Sequence, residues 1–474
     1  MDLINRRDWF KIVGVLFFLG LAGMALSDAK SRILITDPAY YLFNIINRES
    51  FFEAHGRLTA IFSQLLVVGG VKIQLPLVCL VPLYSVSFVL IRVCYFFVAT
   101  SVFKNRTAGF TIIAVTALGV AHSYFRPTSE SSIALLNSCL LYAWLNFYDC
   151  RWQKAKMRSW RLVLGTFVFV LFGYFTHSIA YFSLLFVIGF FSVESHKLKT
   201  SYPYLAFALT LAVFFWHILN VDSSVEHQSL YHNAFNNPLK LIGDLADYYP
   251  VRFFIKRMND LYFPLLVMLL ISLSLLVVRR RYLLCFLLVF AFAVYFVVTS
   301  AAFKQGDADM QMEKIFLPLV FFVALSFGSL LNIGETRLSM YLLSGSTMLI
   351  AIVFFFEVGM VRSVYQGRIQ YQVELIEHVK QNKERKWVIT PDKIDTERMM
   401  FSWANGVESL LLSAMMNSDQ AVTIFVENKS ERLDQEMGKT DSFLAAPFYL
   451  SYGQSQLNRF YFNLPNQAYV FWPE

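Results

Sequence analysis

The chain has 474 residues, 57% of them hydrophobic and 16% charged, with a mean hydropathy of +0.51. Soluble domains carry roughly 25% charge, and 48 Phe with 24 Tyr exceed what one soluble core would bury, so an assembly of soluble domains is excluded and a polytopic membrane protein is implied. The net charge of +8 is no nucleic-acid signature: from Arg362 onward there are 12 Lys and Arg against 14 Asp and Glu, and the cationic excess lies in clusters flanking apolar runs before that point.

A transmembrane helix needs roughly 20 apolar residues to cross about 30 Å of hydrocarbon. Apolar runs predict spans over 9–27, 76–102, 107–124, 132–149, 162–176, 179–194, 203–220, 261–278, 282–301, 315–331 and 340–361, about eleven in all. Two of them depend on a tight turn at Thr176-His177-Ser178. The first run, with Arg6-Arg7 before it and small residues near Ala25, also has the outline of a cleaved signal peptide, but its length suits a retained anchor better.

Arg6-Arg7, Lys104 with Arg106, the basic run Arg151 to Arg161, Lys197 with Lys199, and Arg279-Arg280-Arg281 fall on one side if the spans alternate. By the positive-inside rule that side is cytoplasmic. The first loop, 28–75, and the tail are then external. Residues 58–71 are apolar enough to tempt a further crossing, which would reverse every later loop. The run is short and ends at Gly69-Gly70 and Lys72, so an interfacial or re-entrant helix is expected there.

The tail changes character. Val364 to Lys386 is charged and helix-permissive, Trp387 to Thr390 resembles a strand, Ile394 to Met416 reads as a helix and Ala421 to Val426 as a buried strand. The expected architecture is an all-α polytopic membrane domain over 1–362 and a small external α/β domain over 363–474. All five cysteines lie before the tail, in or beside apolar segments, so no disulfide framework is proposed.

Polar groups that can do chemistry gather on the external face. The first loop carries Asp37-Pro38-Ala39-Tyr40-Tyr41 and then Glu53-Ala54-His55-Gly56-Arg57 just before the interfacial helix. A carboxylate at a membrane rim can take a proton from an acceptor hydroxyl or hold a divalent metal. Arginine beside it can neutralise a leaving phosphate bidentately. Loops of this length also carry charges merely for solvation. Glu130, after Arg126, lies in the next external loop, and His177 at the tip of another. Lys304, Asp307, Asp309, Glu313 and Lys314 form a third charged loop suited to a phosphate or metal. His227 and His232, five apart, do not share a helical face, which argues against zinc there. Arg92 sits deep in the second span, where an unpaired charge costs at least about 2.5–3.5 kcal/mol, so it is paired, hydrated or in contact with a lipid phosphate.

There is no Walker loop, dinucleotide fingerprint or HExxH. Apart from Arg92, ionisable residues of the spans lie near their ends, and no two halves match, whereas coupled transporters place acids or bases mid-membrane and often show repeats.

This layout resembles the GT-C class of integral-membrane glycosyltransferases. Asp37 in Thr36-Asp37-Pro38-Ala39-Tyr40 looks like the first-loop acid of that class, although Pro38 stands where a second acid is common. Glu53 to Leu58 resembles the charged lead-in to its interfacial helix, without the prolines often found there. Glu130 falls at the position of a second acidic motif, and His177 matches a turn that donates a polar group in several members. The resemblance implies inverting transfer of a sugar from a polyprenyl-phosphate carrier to a glycan, lipid or protein acceptor outside the cytoplasm, in a bacterial inner membrane with a periplasmic tail. It assigns Asp37, Glu130, Glu53 and His55 to catalysis, with Asp37 as base. Arg57, Arg126, His177, Lys304 and Lys314 would hold the lipid-linked donor. A divalent metal is compatible with the carboxylates, but no ligand set is assigned. The alternatives are a non-catalytic membrane subunit or lipid-handling protein on the same scaffold, and a transporter or flippase.

Overall fold

In a computed structural model of the protein, the residues described are 8–53, 57–128, 130–152, 159–220, 243–332, 336–446 and 450–472. In chain order, α1 (Trp9–Ser27) is followed by α2 (Ala29–Ile33), α3 (Thr36–Arg48) and α4 (Ile61–Lys72). Next come α5 (Leu77–Phe97), which widens into a π-helical turn over Val98–Val102, α6 (Arg106–Ala117), α7 (Glu130–Trp152), α8 (Ser159–Tyr174), α9 (Ala180–Glu194) and α10 (Tyr202–Asn220). The helical part closes with α11 (Tyr249–Lys256), α12 (Phe263–Val278), α13 (Tyr282–Ala302), α14 (Asp309–Leu331) and the 44-residue α15 (Arg337–Lys380).

Five of these, α1, α5 with its π turn, α13, α14 and α15, are long and apolar enough to cross a membrane, while the helices over 58–72, 106–117, 160–174, 180–194, 202–217 and 263–278 are apolar but shorter. The third apolar run, 107–124, is helical only to Ala117. Gly119 then takes φ +70°, with the Tyr262 ring 2.9 Å from where a Cβ would stand, and a 3₁₀ turn covers His122–Phe125. An apolar composition cannot announce such a break.

The bundle is built around α14. From Ile315 on this helix is apolar on every face, and it is buried along almost its whole length, with α6, α7, α9, α12 and α13 packed on it, as expected of a helix without a polar stripe. α15 lies along α1, and α5 packs on α1, α4 and α6.

The segment 28–75 is largely helical. In α3, Leu42, Ile45 and Ile46 follow the three–four spacing of a buried stripe. Where the sequence predicts an interfacial helix, a 3₁₀ turn at Leu58–Ala60 leads into α4. Its continuation stops at Gln74 in the left-handed region (φ 56°), before Pro76.

The charged stretch from Val364 is the far half of α15, which runs through residue 362 without a break. It leads to β1 (Lys386–Ile389). The helix expected over 394–416 is divided into α16 (Thr396–Met399) and α17 (Asn405–Met416), because Met400 adopts φ 60°. There follow β2 (Thr423–Val426), α18 (Glu431–Met437), the hairpin β3 (Ser442–Ala446) and β4 (Leu450–Gly453), and β5 (Val470–Phe471). The three-stranded sheet has the order β2-β1-β5 and is parallel, with Lys386 opposite Thr423 and Trp387 opposite Val470. β1 and β2 are buried at every residue, the pattern of parallel strands covered on both faces.

α17 packs on both β2 and α3. Phe43 of α3 meets Phe443, Tyr452 and Phe462 of the tail at ring-centroid distances of 5.2, 5.3 and 5.7 Å. The first-loop helices and the tail therefore share one apolar core, and this shared core holds the site below.

Candidate functional site

Two carboxylates stand in the first turns of helices, Asp37 in α3 and Glu130 in α7, where the helix dipole favours negative charge by roughly 0.3–1 kcal/mol. Each is held by an arginine. Arg126 donates to Asp37 through both Nε (2.8 Å) and Nη2, and both bonds fall on Oδ2. Arg57 Nη1 donates to Glu130 Oε2 at 3.2 Å, and the Tyr41 hydroxyl donates to Oε1 at 3.4 Å. Burial, reinforced by the Glu130 charge, pushes the Tyr41 phenol well above its ordinary range, so it stays a donor. Lys314 Nζ donates to Thr128 O (3.0 Å), between Arg126 and Glu130. All four charged groups of the two pairs keep some exposure, so the cluster is reachable.

Behind Arg126 lies a small chamber lined by the cationic side chains of Arg32, Arg92, Arg126 and Lys314, with Ser132 and Tyr124 beside them and Leu21, Val89 and Phe354 as apolar wall. Its volume of ≈ 40 Å³ admits about three waters, which suits a small anion better than a sugar ring. Arg32 is fully buried. It donates to Tyr124 O (3.1 Å), Ser85 O (3.1 Å) and Ser85 Oγ (2.7 Å), with its guanidinium carbon 4.4 Å above the Tyr124 ring. Burial pulls its pKa down, partly opposed by Tyr124 and Asp28. Arg92 donates to Phe88 O (2.7 Å) and Ser132 Oγ (3.3 Å). Among the described residues, Arg32, Arg92 and Lys314 have no ion-pair partner. Burial, with Arg126 beside it, brings the pKa of the Lys314 ammonium down to about 7, and Asp28, Asp37 and Glu130 act on Arg32 and Lys314 only at a distance. Cationic side chains without a direct ion pair make the low-dielectric chamber attractive to an anion.

The strand of chain that carries Arg126 is fixed by Glu313. This buried carboxylate accepts the backbone N–H groups of Ala121 (3.0 Å), His122 (3.0 Å) and Ser123 (2.7 Å). Glu313 is thus an anchor for the turn rather than a ligand for phosphate or metal, the role its charged loop suggested. His122 Nδ1 lies 3.1 Å from the Tyr365 hydroxyl and its Nε2 3.9 Å from Asp309.

Of the residues singled out in the sequence, Asp37, Glu130, Arg57, Arg126 and Lys314 come together. Three do not join them. His177 turns Nδ1 to the N–H of Ile179 at 3.1 Å, closing its own turn. Lys304 lies with its ammonium 5.4 Å over the Tyr248 ring, and its carbonyl accepts from Tyr249. Glu53 is exposed, next to a Phe52 whose backbone pairs with the Gln64 amide. His55 lies outside the described residues, as do His227 and His232. Sequence reasoning missed Arg32 and the buried tail residue Arg368. A lone Arg just past a span reads as a solvated end, and nothing local marks it as turned inward. Among the described residues no three His, Cys, Asp or Glu side chains converge as a metal-binding set.

No protein-family model, curated protein sequence or solved structure matches the chain.

Proposed function

We propose that the protein is a membrane glycosyltransferase of the GT-C kind, moving a sugar from a polyprenyl-phosphate carrier to an acceptor at the external face. The observation that supports it is the junction of a rim carboxylate, Asp37, with a chamber of otherwise unpaired cations through the shared Arg126. In this reading about eleven crossings are made, the shorter apolar helices included. The N-terminus is cytoplasmic and the tail periplasmic, in a bacterial inner membrane.

In the reaction, Asp37 accepts the proton of the acceptor hydroxyl as its oxygen attacks the anomeric carbon. The bond from that carbon to the phosphate oxygen breaks, and its electron pair leaves with the lipid phosphate. Arg126 and Lys314, backed by Arg92 and Arg32, stabilise the charge that develops on that oxygen, the largest electrostatic contribution expected. Arg126 cannot serve the phosphate and Asp37 equally. Donor binding draws it toward the chamber and frees Asp37 Oδ2 to meet the acceptor hydroxyl. Inversion follows from attack opposite the departing phosphate.

A second reading follows from the same ion pair: a carboxylate whose Oδ2 is already taken by two guanidinium N–H groups is not free to meet an acceptor hydroxyl, which favours a lipid-phosphate-binding subunit without chemistry. Transfer assays on the full chain in lipid separate the two. Cell-membrane lipid extract supplies the donor, release of sugar from polyprenyl phosphate is measured, and wild type is compared with Asp37→Asn. The enzyme reading expects turnover in wild type and loss in a folded variant. Equal turnover by both would reject Asp37 as the base. Binding of polyprenyl phosphate without turnover by either would favour the subunit.

A further inference from the structure

Glu408, in the first turn of α17, is completely buried and paired with Arg368 of α15, itself almost completely buried. Its Oε2 accepts from Arg368 Nη2 and from Gln372 Nε2 (2.7 Å), and its Oε1 accepts the backbone N–H of Thr36 at 2.5 Å. Arg368 donates its other N–H groups to the carbonyls of Leu34 (3.2 Å), Met399 (2.9 Å) and Phe401 (3.2 Å). The pair therefore grips the chain on both sides of Ile35, in the last residues before Asp37.

Stability alone does not explain this arrangement. Desolvation of two buried charges offsets much of their attraction, and well-packed apolar residues often hold an interface as firmly. An apolar pair has no acceptor for the Thr36 N–H. Thr36 has φ 42°, a left-handed conformation that a β-branched residue rarely adopts and that persists only where its surroundings hold it. Residue 37 follows directly, and Pro38 then commits the chain to α3. The direction in which the Asp37 carboxylate leaves the backbone is thus set by the Thr36 conformation, and that conformation is held by a side chain of the tail.

We propose that Glu408 is the positioning residue for Asp37: by accepting the Thr36 N–H it maintains the left-handed turn that aims the Asp37 carboxylate at Arg126. The assignment rests on the reading of Asp37 as the reacting carboxylate, and it gives the tail a part in the site.

The test follows the Asp37 carboxylate directly in the full chain in lipid nanodiscs, by carbodiimide labelling with glycine ethyl ester and peptide mass spectrometry. Exposed Glu374 serves as internal reference. Loss of the charged acceptor in Glu408→Ala is expected to label Asp37 about tenfold faster than wild type. Glu408→Gln keeps an oxygen for the Thr36 N–H and stays within about twofold. Thr36→Pro removes the N–H and forces φ near −65°, so it reproduces the Glu408→Ala effect with the buried pair intact. The decisive variant is Glu408→Ala with Thr36→Gly. Glycine takes the left-handed conformation unaided, so labelling returns to within about twofold of wild type, which a merely structural role for Glu408 would not produce. Unchanged labelling in both Glu408→Ala and Thr36→Pro, or failure of Thr36→Gly to restore the slow rate, overturns the proposal. Sugar transfer by the same set is expected to show a lowered kcat at constant KM in Glu408→Ala and recovery in the double variant. A wild type that transfers no sugar would count against the glycosyltransferase reading alone, because the labelling still decides whether Glu408 holds Asp37.

Discussion

Replacing Glu313 by leucine removes the acceptor of three backbone N–H groups in one step. Ala121 and Ser123 are buried, so at least two of the three donors are left without water. A hydrogen bond to a charged group contributes about 1.5–3 kcal/mol, and two such losses put the local cost near 4 kcal/mol even at the lower end, once the orphaned third donor is added. Because 1.4 kcal/mol is a factor of ten, amide exchange over 121–123 should accelerate by about a thousandfold in Glu313→Leu. Glu313→Gln retains one carbonyl oxygen, which serves at most two of the donors without the charge, and an acceleration of about thirtyfold is expected. Hydrogen-exchange mass spectrometry on the protein in nanodiscs reads this directly. The Arg126 N–H bonds to Ser123 O at 3.2 Å, so the loosened turn also frees Arg126, and Asp37 should label faster in the same variants. An acceleration below about threefold in Glu313→Leu would show that the three bonds do not hold the turn, and the account of Arg126 would fall with them.

Further outcomes are expected elsewhere. Arg92→Met should weaken binding of polyprenyl phosphate by about tenfold, the loss of one charge-assisted contact, without lowering the unfolding midpoint; unaltered affinity would remove Arg92 from the chamber's function. Gly406→Ala places a Cβ 2.2 Å from the Leu444 carbonyl oxygen, and an overpacking loss of about 3 kcal/mol is expected, whereas Gly367→Ala on α15 meets nothing within 4 Å and should gain about 0.5–1 kcal/mol. Chemical denaturation of the two variants checks the contrast, and equal effects would refute it. Lys386 is buried with its ammonium donating to Thr440 O (2.9 Å) and Ser442 O (2.8 Å), and burial, opposed by Asp441, brings its pKa down to about 8. Between about pH 8 and the unfolded value near 10.4 the unfolded chain holds a proton that the folded chain has released, so this residue makes stability rise with pH across that window. The slope should flatten in Lys386→Met, and parallel unfolding profiles from pH 8 to 10 would contradict the assignment.

Much of the bundle was legible because apolar runs and their basic flanks record the demands of a membrane. Runs near 9–27 and 282–301 became α1 and α13 almost as written, and 315–331 became α14, which starts earlier, at Asp309, within the stretch expected to be a charged loop. The run at 107–124 misled, since the break after Ala117 depends on Gly119 against Tyr262 and on a carboxylate nearly two hundred residues away. Of the tail's strands, β1 and β2 were visible as short apolar runs, one closed by Pro391 and one opened by Ala421, whereas β3, β4 and β5 were not. The division of 394–416 at Met400 was not, because a left-handed methionine leaves no compositional trace. In the site, acids and arginines at loop positions could be chosen, and Asp37, Glu130, Arg57 and Arg126 do meet. Which acid takes which arginine is a matter of tertiary geometry. Arg32 and Arg368 were out of reach for the same reason: their polarity suits a surface, and only the packing around them shows that they are inside.

The length of α15 has a consequence for how such a protein can change. At about 1.5 Å per residue the helix is roughly 66 Å long, about twice the thickness of a bilayer's hydrocarbon, and it joins the bundle to the tail with no hinge between. Arg362 meets Asp28 of the first loop, and Arg368 and Gln372 meet Glu408 of the tail. Arg368 and Gln372, four residues apart, share one face of a single shaft, in a fixed phase about 80–120° around from Arg362. Inserting one residue between Arg362 and Arg368 would turn everything beyond by about 100° and carry the tail off the first loop, whereas seven residues would nearly restore the angle and displace the tail by about 10 Å. Bundle and tail therefore cannot be exchanged as independent modules, and a chimera that ignores this phase would keep both parts folded while taking Thr36 out of reach of Glu408.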